Sequence, residues 1–447
     1  MFRLIFNKIK YSNSHIISVI VYSLIFGVLN FISNLLIHNN NYYLCNNLEP
    51  VNVFKNIIIN FPISCDLDEY LVGFTSFFNI FEYESLYQSR PIYLLFINII
   101  LKLISLFGFK SELFSIIFSI FLSQVFIMII SVQIFLKTIE IKLNSLEIFG
   151  IVTLISINPL FKWGLFDPSN QTITYLASVI SLYYLKRTSN LNYKNSYYYS
   201  FILGVLYLAN KVFGVTFLLL ILIINLDKLK VEKNINPYNF ILNLFIFISP
   251  FLIYIQLLNL LGYSFYDADT KTWGHFYWII LHSNNVVEYG GQWFCQSIPQ
   301  NFKCYLVDIT KTLRYLSIPL IYITISYCLD FLNQKYSSTK FQHIKINVVL
   351  ITIIYMIFWS LIGWYPPIRF SLYPIGFFLT TLLMLDYLNI QKNIEKVQFL
   401  VANISFFLGL NHWNNPKIIE FNIYIYISIL IFILLLIRKL FNYFKTV

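Results

Sequence analysis

About a dozen runs of Ile, Leu, Phe and Val, each long enough to cross or nearly cross a bilayer, constrain this chain more than any other feature. In hydrocarbon every backbone N–H and C=O must be paired within the chain, so spanning segments are helices or strands of a closed barrel. A barrel strand alternates apolar and polar residues with period two. These runs do not alternate, and the expected fold is all-α. With about 20 apolar residues needed per span, candidates fall at 16–37, 91–107, 113–136, 148–163, 171–185, 198–210, 212–226, 240–261, 313–333, 347–364, 372–388, 397–411 and 419–437. The expected architecture is a polytopic transmembrane bundle of about 11–13 segments, with residues 1–447 forming one membrane domain.

Composition agrees with this expectation. The chain is 58% hydrophobic and 11% charged, against about 25% charged in soluble domains. Its net charge of +11 could suggest nucleic acid, but the Lys and Arg residues sit in short clusters between apolar runs, which is the positive-inside pattern. Nucleic acid is therefore not an expected partner; membrane lipids are. The 45 Phe and 34 Tyr look like codon bias and carry little functional weight.

The basic clusters orient the chain. Lys186/Arg187/Lys194, Lys228/Lys230/Lys233, Lys335/Lys340/Lys345 and Arg438/Lys439 mark cytoplasmic loops. Arg3, Lys8 and Lys10 precede the first run, no small-residue cleavage site follows, and a retained anchor with a cytoplasmic N-terminus is expected. From residue 186 onward clusters and spans alternate, leaving the C-terminus cytoplasmic too. Before residue 186 the count is one span too many. The short segment 91–107, which carries Lys102, is expected not to cross fully; an extra buried segment near 53–63 would repair the count equally.

Two hydrophilic stretches, 38–90 and 262–312, then fall outside as caps on the membrane domain. Cys45 and Cys65 lie in the first, Cys295 and Cys304 in the second, and a bridge within either pair needs the oxidising face this topology gives them. Cys328 lies in an apolar run and is expected to be an inert core thiol. Plasma (inner) membrane residence fits these features.

Residues capable of chemistry gather on the outer face. The run Cys-Asp-Leu-Asp-Glu-Tyr holds Asp66, Asp68, Glu69 and Tyr70, followed by Glu82, Glu84 and Arg90-Pro91, a dense acidic cluster in a chain with only 20 acids. Neighbouring carboxylates separate one another's pKa values and can serve as base or cation ligand; a solvated loop explains such a cluster equally well. Asn158-Pro159 and Asp167-Pro168 mark helix-breaking turns. Asn210-Lys211 interrupts two apolar runs, and a lysine at membrane depth is either functional or snorkelling to the interface. Trp364-Tyr365-Pro366-Pro367-Ile368-Arg369 presents a rigid, permanently charged donor suited to phosphate, or an anchor within an aromatic belt. Asp267, Asp269, His275, His282 and Glu288 in the second loop show no dedicated metal-ligand spacing. Phosphate-cradling Gly-rich loop, Walker motif, nucleophile elbow and zinc-protease motif are all missing from the sequence.

In their order these features resemble the C-type (GT-C) integral membrane glycosyltransferases, especially the polyprenyl- or dolichyl-phosphate-sugar-dependent branch of protein mannosyltransferases and aminoarabinose transferases. A first span leads to an outer-loop Asp-Glu pair, here Asp68-Glu69-Tyr70, and then to a basic residue with proline opening the next segment, Arg90-Pro91-Ile92-Tyr93. An Asp-Pro turn precedes a helix ending in Leu-Tyr-Tyr-Leu-Lys-Arg at 182–187. A glycine-bearing helix runs into Lys211, and the late turn Pro367-Ile368-Arg369-Phe370 completes the order.

The resemblance implies an inverting transfer of a sugar from a polyprenyl-phosphate donor to a glycan, lipid or protein acceptor in cell-envelope glycan assembly. Asp68 would be the general base, with Glu69 or Asp66 orienting the acceptor or a cation. Lys211, Arg369 and Arg90 would hold the donor phosphate, with Asp167 and Tyr70 as further site candidates. No obligatory cofactor is implied, and a divalent cation is left open. Asp66 competes with Asp68 for the base. Two alternatives stay open: a polysaccharide polymerase or O-antigen-ligase-type enzyme, and a non-enzymatic transporter or flippase of lipid-linked precursors.

Overall fold

In a computed structural model of the protein, the described residues are 13–37, 48–54, 57–62, 67–81, 88, 90–107, 112–139, 143–158, 173–187, 193–210, 212–232, 237–265, 317–332, 380–409 and 422–446. Nearly all of them are helical. In chain order the helices are α1 (Asn13–Ile37), α2 (Leu67–Thr75), α3 (Pro91–Ser105), α4 (Glu112–Ile139), α5 (Ser145–Ser156), α6 (Thr174–Arg187), α7 (Tyr193–Tyr207), α8 (Val212–Glu232), α9 (Pro237–Leu260), α10 (Ser317–Leu332), α11 (residues 380–389), α12 (Asn393–Gly409) and α13 (Ile423–Thr446).

The departure from an all-helical chain among the described residues is one antiparallel hairpin, β1 (Leu48–Phe54) with β2 (Ile57–Pro62), in one register from Leu48↔Pro62 to Asn52↔Ile58 and shifted before Phe54↔Ile57. Val51, Val53 and Ile57–Ile59 are β-branched and favour extended backbone. The described part of 53–63, which offered an alternative repair of the span count, belongs to this strand pair.

Among the described residues, four helices are long and apolar enough to cross a membrane: α1 through its His15–Ile32 portion, α4, α9, and α13 through Ile423–Phe441. On α1 and α9 the surface is inverted relative to a soluble helix, whereas most of α4 is buried. On α9 the buried residues are Asn243, Pro250 and Leu258, whereas Phe240, Ile241, Phe245, Leu252, Ile253 and Leu257 are exposed. On α1 Ser23 is buried while Ile25, Val28 and Leu29 face out. Apolar area on this scale, continuous along a helix, demands an apolar solvent. The chain is a membrane protein.

Helix α3 has 15 residues, about 22 Å at 1.5 Å per residue, against a hydrocarbon core of about 30 Å. Helices α5, α6 and α7 are 12, 14 and 15 residues long, so length does not single out α3 among the segments expected to cross. Residues 347–364, and the first part of the expected 372–388 span, lie outside the described residues.

The chain divides into two compact units. One comprises Met1–Ile32, Phe135–Lys162 and Trp278–Val447; the other comprises Ser33–Ile134 and Trp163–Tyr277. In the first, α5 begins with a capping box: Asn144 Oδ1 accepts from Glu147 N at 2.9 Å, and Asn144 N donates to Glu147 Oε2 at 2.8 Å. The other carboxylate oxygen of Glu147 accepts from Lys396 Nζ on α12. Tyr387 of α11 lies against Gly150, donates from Oη to Leu146 O at 2.8 Å, and sits with its ring 5.7 Å from Lys396 Nζ. Farther along α5, Asn30 Nδ2 donates to Ser156 O and Asn158 Nδ2 to Thr380 Oγ1, both at 2.6 Å. Helices α12 and α13 close at Gly409, whose carbonyl accepts from Asn422 Nδ2 at 2.8 Å. Cys328 is a free thiol on the exposed side of α10, with Ile321 and Ile325; it is not in the core, because the apolar run it belongs to turns its apolar face outward.

In the second unit α7 and α9 cross backbone to backbone at Gly204, where a Cβ would stand 2.1 Å from Phe247 O. Ser200 Oγ donates to Asn243 Oδ1 at 2.7 Å and Tyr197 Oη to Asn239 Oδ1 at 2.5 Å, the close approach plus polar contact that holds helices together where lipid offers no hydrophobic drive. Pro250 has no N–H to give Ile246 O, and Ser249 Oγ donates to that carbonyl at 2.8 Å instead. A proline is thus accommodated inside a candidate span without leaving a carbonyl bare. The ring of Phe217 on α8 stacks on Phe247 with centroids 4.1 Å apart.

Candidate functional site

The second unit brings together three segments that the sequence keeps far apart. Helix α2 packs on α3 where Gly73 removes a side chain: a Cβ there would be 3.0 Å from both Ile80 Cγ2 and Leu94 Cδ1. Asn98 of α3 donates from Nδ2 to Phe74 O at 2.5 Å. Between the helices Tyr70, Phe74 and Tyr93, all buried, form an aromatic cluster in which Tyr70 stacks on Phe74 at 5.6 Å and meets Tyr93 edge-on at 6.3 Å.

Arg90 caps α3, with Pro91 as the first helical residue. Pro91 suits that position because its missing N–H has no partner in a first turn. The Arg90 carbonyl accepts from Tyr93 N at 3.2 Å and Leu94 N at 3.4 Å, and its guanidinium donates from Nη1 to Tyr70 Oη at 3.2 Å. The next residue but one, Ile92, donates its N–H to Leu208 O at 3.3 Å. That carbonyl lies in the turn ending α7, where Ala209 N and Asn210 N bond Leu206 O at 2.8 and 3.0 Å. Asn210 is buried, and its Oδ1 accepts from Val212 N at 2.9 Å, starting α8. An Asn in this place caps the new helix as Ser, Asp or Asn do generally.

The half-buried Arg90 therefore stands at the start of α3, bonded to Tyr70 of α2, two residues before the amide that bonds the turn at 208–210. Asp68 and Glu69 occupy the two positions before Tyr70 on the first turn of α2. Asp66, Asp167, Lys211 and Arg369 lie outside the described residues. Of the expected site residues, Tyr70 and Arg90 are brought into direct contact. Arginine is a permanently charged, planar donor suited to an anion; the first turn of α3 adds no open amide to it, since Pro91 has no N–H and Ile92 N, Tyr93 N and Leu94 N bond Leu208 O and Arg90 O.

Residues not expected from sequence complete the surroundings. Gln88, 1% exposed, donates from Nε2 to Ile80 O at 3.0 Å, and Tyr254 of α9 donates from Oη to the Gln88 carbonyl at 2.7 Å. Phe81, Tyr254 and Tyr263 pack around this link. The available signal was weak: a tyrosine in a run as aromatic as α9 has nothing in its spacing to mark it. Among the described residues no group of three His, Cys, Asp or Glu side chains could hold a metal ion. No protein-family model matches the chain, and no curated protein or solved structure matches it.

Proposed function

We propose that the protein is a membrane glycosyltransferase of the C-type (GT-C) kind, acting at the outer face of the plasma membrane on a polyprenyl-phosphate sugar. The observation that carries this reading is the junction of Arg90, Tyr70 and the turn at 208–210. It supports a cationic site for the donor phosphate at the start of α3, where the contacting Tyr70 follows the Asp68-Glu69 pair in sequence and the contacting turn precedes Lys211.

The bundle of about 11–13 segments, cytoplasmic termini and outer-face loops belong to the same proposal. Asp68 takes the proton of an acceptor hydroxyl. The acceptor oxygen bonds the anomeric carbon as the carbon–oxygen bond to phosphate breaks, and the electron pair leaves on the polyprenyl phosphate. Arg90, with Lys211 and Arg369, stabilises the charge that grows there, which is the point at which fixed cations speed a reaction most. Attack from the face opposite the leaving group inverts configuration. Tyr70 keeps Arg90 oriented, and Asp66, Glu69 and Asp167 remain candidates for acceptor or cation contacts.

Mass spectrometry of lipid-linked sugars, in membranes carrying the wild-type chain, no chain, or Asp68→Asn at equal level, tests the proposal. Deletion and Asp68→Asn should each accumulate one polyprenyl-phosphate sugar while a glycan product disappears. Unchanged lipids and glycans on deletion would instead favour a transporter or flippase, and accumulation of a pyrophosphate-linked oligosaccharide would favour a polymerase or ligase.

A further inference from the structure

We infer that Tyr254 and Gln88 are positioning residues that aim Arg90 at an anionic lipid headgroup. The inference rests on the phosphate role proposed above for Arg90 and extends it to residues that touch no substrate.

The short segment ending in Arg90 is held at both sides. Before Arg90, Tyr254 Oη donates to the Gln88 carbonyl at 2.7 Å and Gln88 Nε2 donates to Ile80 O at 3.0 Å. After it, Ile92 N donates to Leu208 O at 3.3 Å. The side chain itself is held by Tyr70 Oη at 3.2 Å. Arg90 has a φ of −130° and ψ of 43°, neither helical nor extended, so its direction is set by the hydrogen bonds around it: those its carbonyl accepts from Tyr93 N and Leu94 N, and those on its flanks. Tyr254 is placed for this by the rings of Phe81 and Phe265, at 6.3 and 6.1 Å. A guanidinium that must meet a phosphate in one orientation loses affinity when its backbone is free to turn, because that freedom is lost again on binding.

The experiment uses the full chain in lipid nanodiscs and two probes, a polyprenyl monophosphate and the uncharged polyprenol of the same length. The wild type should bind the phosphate more tightly than the alcohol, and Arg90→Gln should remove most of that difference. Tyr254→Phe and Gln88→Met should each weaken phosphate binding roughly fivefold, the worth of one hydrogen bond. Both should leave polyprenol binding unchanged, and neither should add a further loss to Arg90→Gln. The two variants act on separate bonds, so a folding defect in one, seen in its thermal unfolding, leaves the other to decide. Equal weakening of both probes, full additivity with Arg90→Gln, or wild-type phosphate affinity in the variants would overturn positioning while the phosphate role of Arg90 stands. A wild type that holds both lipids equally would remove that role and the inference together.

Discussion

Gly150 has no side chain because Tyr387 stands where one would be: an added Cβ would come within 2.2 Å of the ring. Tyr387 could retreat only by giving up its bond to Leu146 O. Gly150→Ala is therefore expected to lower stability by about 1–3 kcal/mol, read as a drop in thermal unfolding temperature in detergent. Beside it, Glu147 is shared between its own capping box and Lys396, whose side chain is 5% exposed. Removing one partner leaves a charge in a poorly solvated place, so Lys396→Met should cost about 3 kcal/mol, and Lys396→Met with Glu147→Gln should cost less than Lys396→Met alone. A double variant at least as unstable as the single one would mean that the capping role of Glu147 outweighs its pairing. At this scale the sequence was half legible. The spacing Asn144-x-x-Glu147 ahead of an apolar run is a helix-start signature that reading by residue type alone can find, but nothing in the sequence joins it to a lysine 249 residues later.

Among the elements, the crossing of α7 and α9 depends on Gly204, where even a methyl group would meet the Phe247 carbonyl. Gly204→Ala should separate the helices and lower unfolding temperature, whereas Gly262→Ala, which has open space around it but a φ of +82°, should act only through local backbone strain. Ser249→Ala exposes the Ile246 carbonyl at the proline and should cost about 1 kcal/mol, measurable in the same assay. Helices were legible in the sequence because apolar runs in a membrane protein are set by bilayer thickness, and α1, α4, α9 and α13 lie where those runs do. The hairpin was not, since Leu48–Pro62 mixes β-branched residues with Pro50, Asn52 and Asn60 and has neither the helical nor the alternating pattern over its length. Nor was the exposed side of α10 evident: an apolar run does not say which of its faces meets lipid, and Cys328 was expected inside.

For the whole molecule, the arrangement of basic clusters predicts that Cys45, Cys65, Cys295 and Cys304 all face outward. After mild reduction, a membrane-impermeant maleimide applied to intact cells should label these four positions and should leave a cysteine introduced at Ser189, in a basic loop, unlabelled until the membrane is opened. The reverse pattern would invert the proposed topology. The candidate site was legible in part. Asp68, Arg90 and Lys211 are recognisable in sequence because charge in an apolar chain is rare, and Tyr70 because it follows the Asp68-Glu69 pair, yet it is the hydrogen bond from Ile92 to Leu208 that places Arg90 near the turn that precedes Lys211. The most direct measurement is photo-crosslinking of a diazirine-bearing polyprenyl phosphate to the reconstituted full chain, with adducts mapped by peptide mass spectrometry. Adducts concentrated in residues 67–75, 90–94 and 206–214, and competed by unlabelled polyprenyl phosphate, are the predicted result. Adducts spread along the lipid-facing surfaces of α1, α9 and α13, and indifferent to the competitor, would contradict a phosphate site at Arg90.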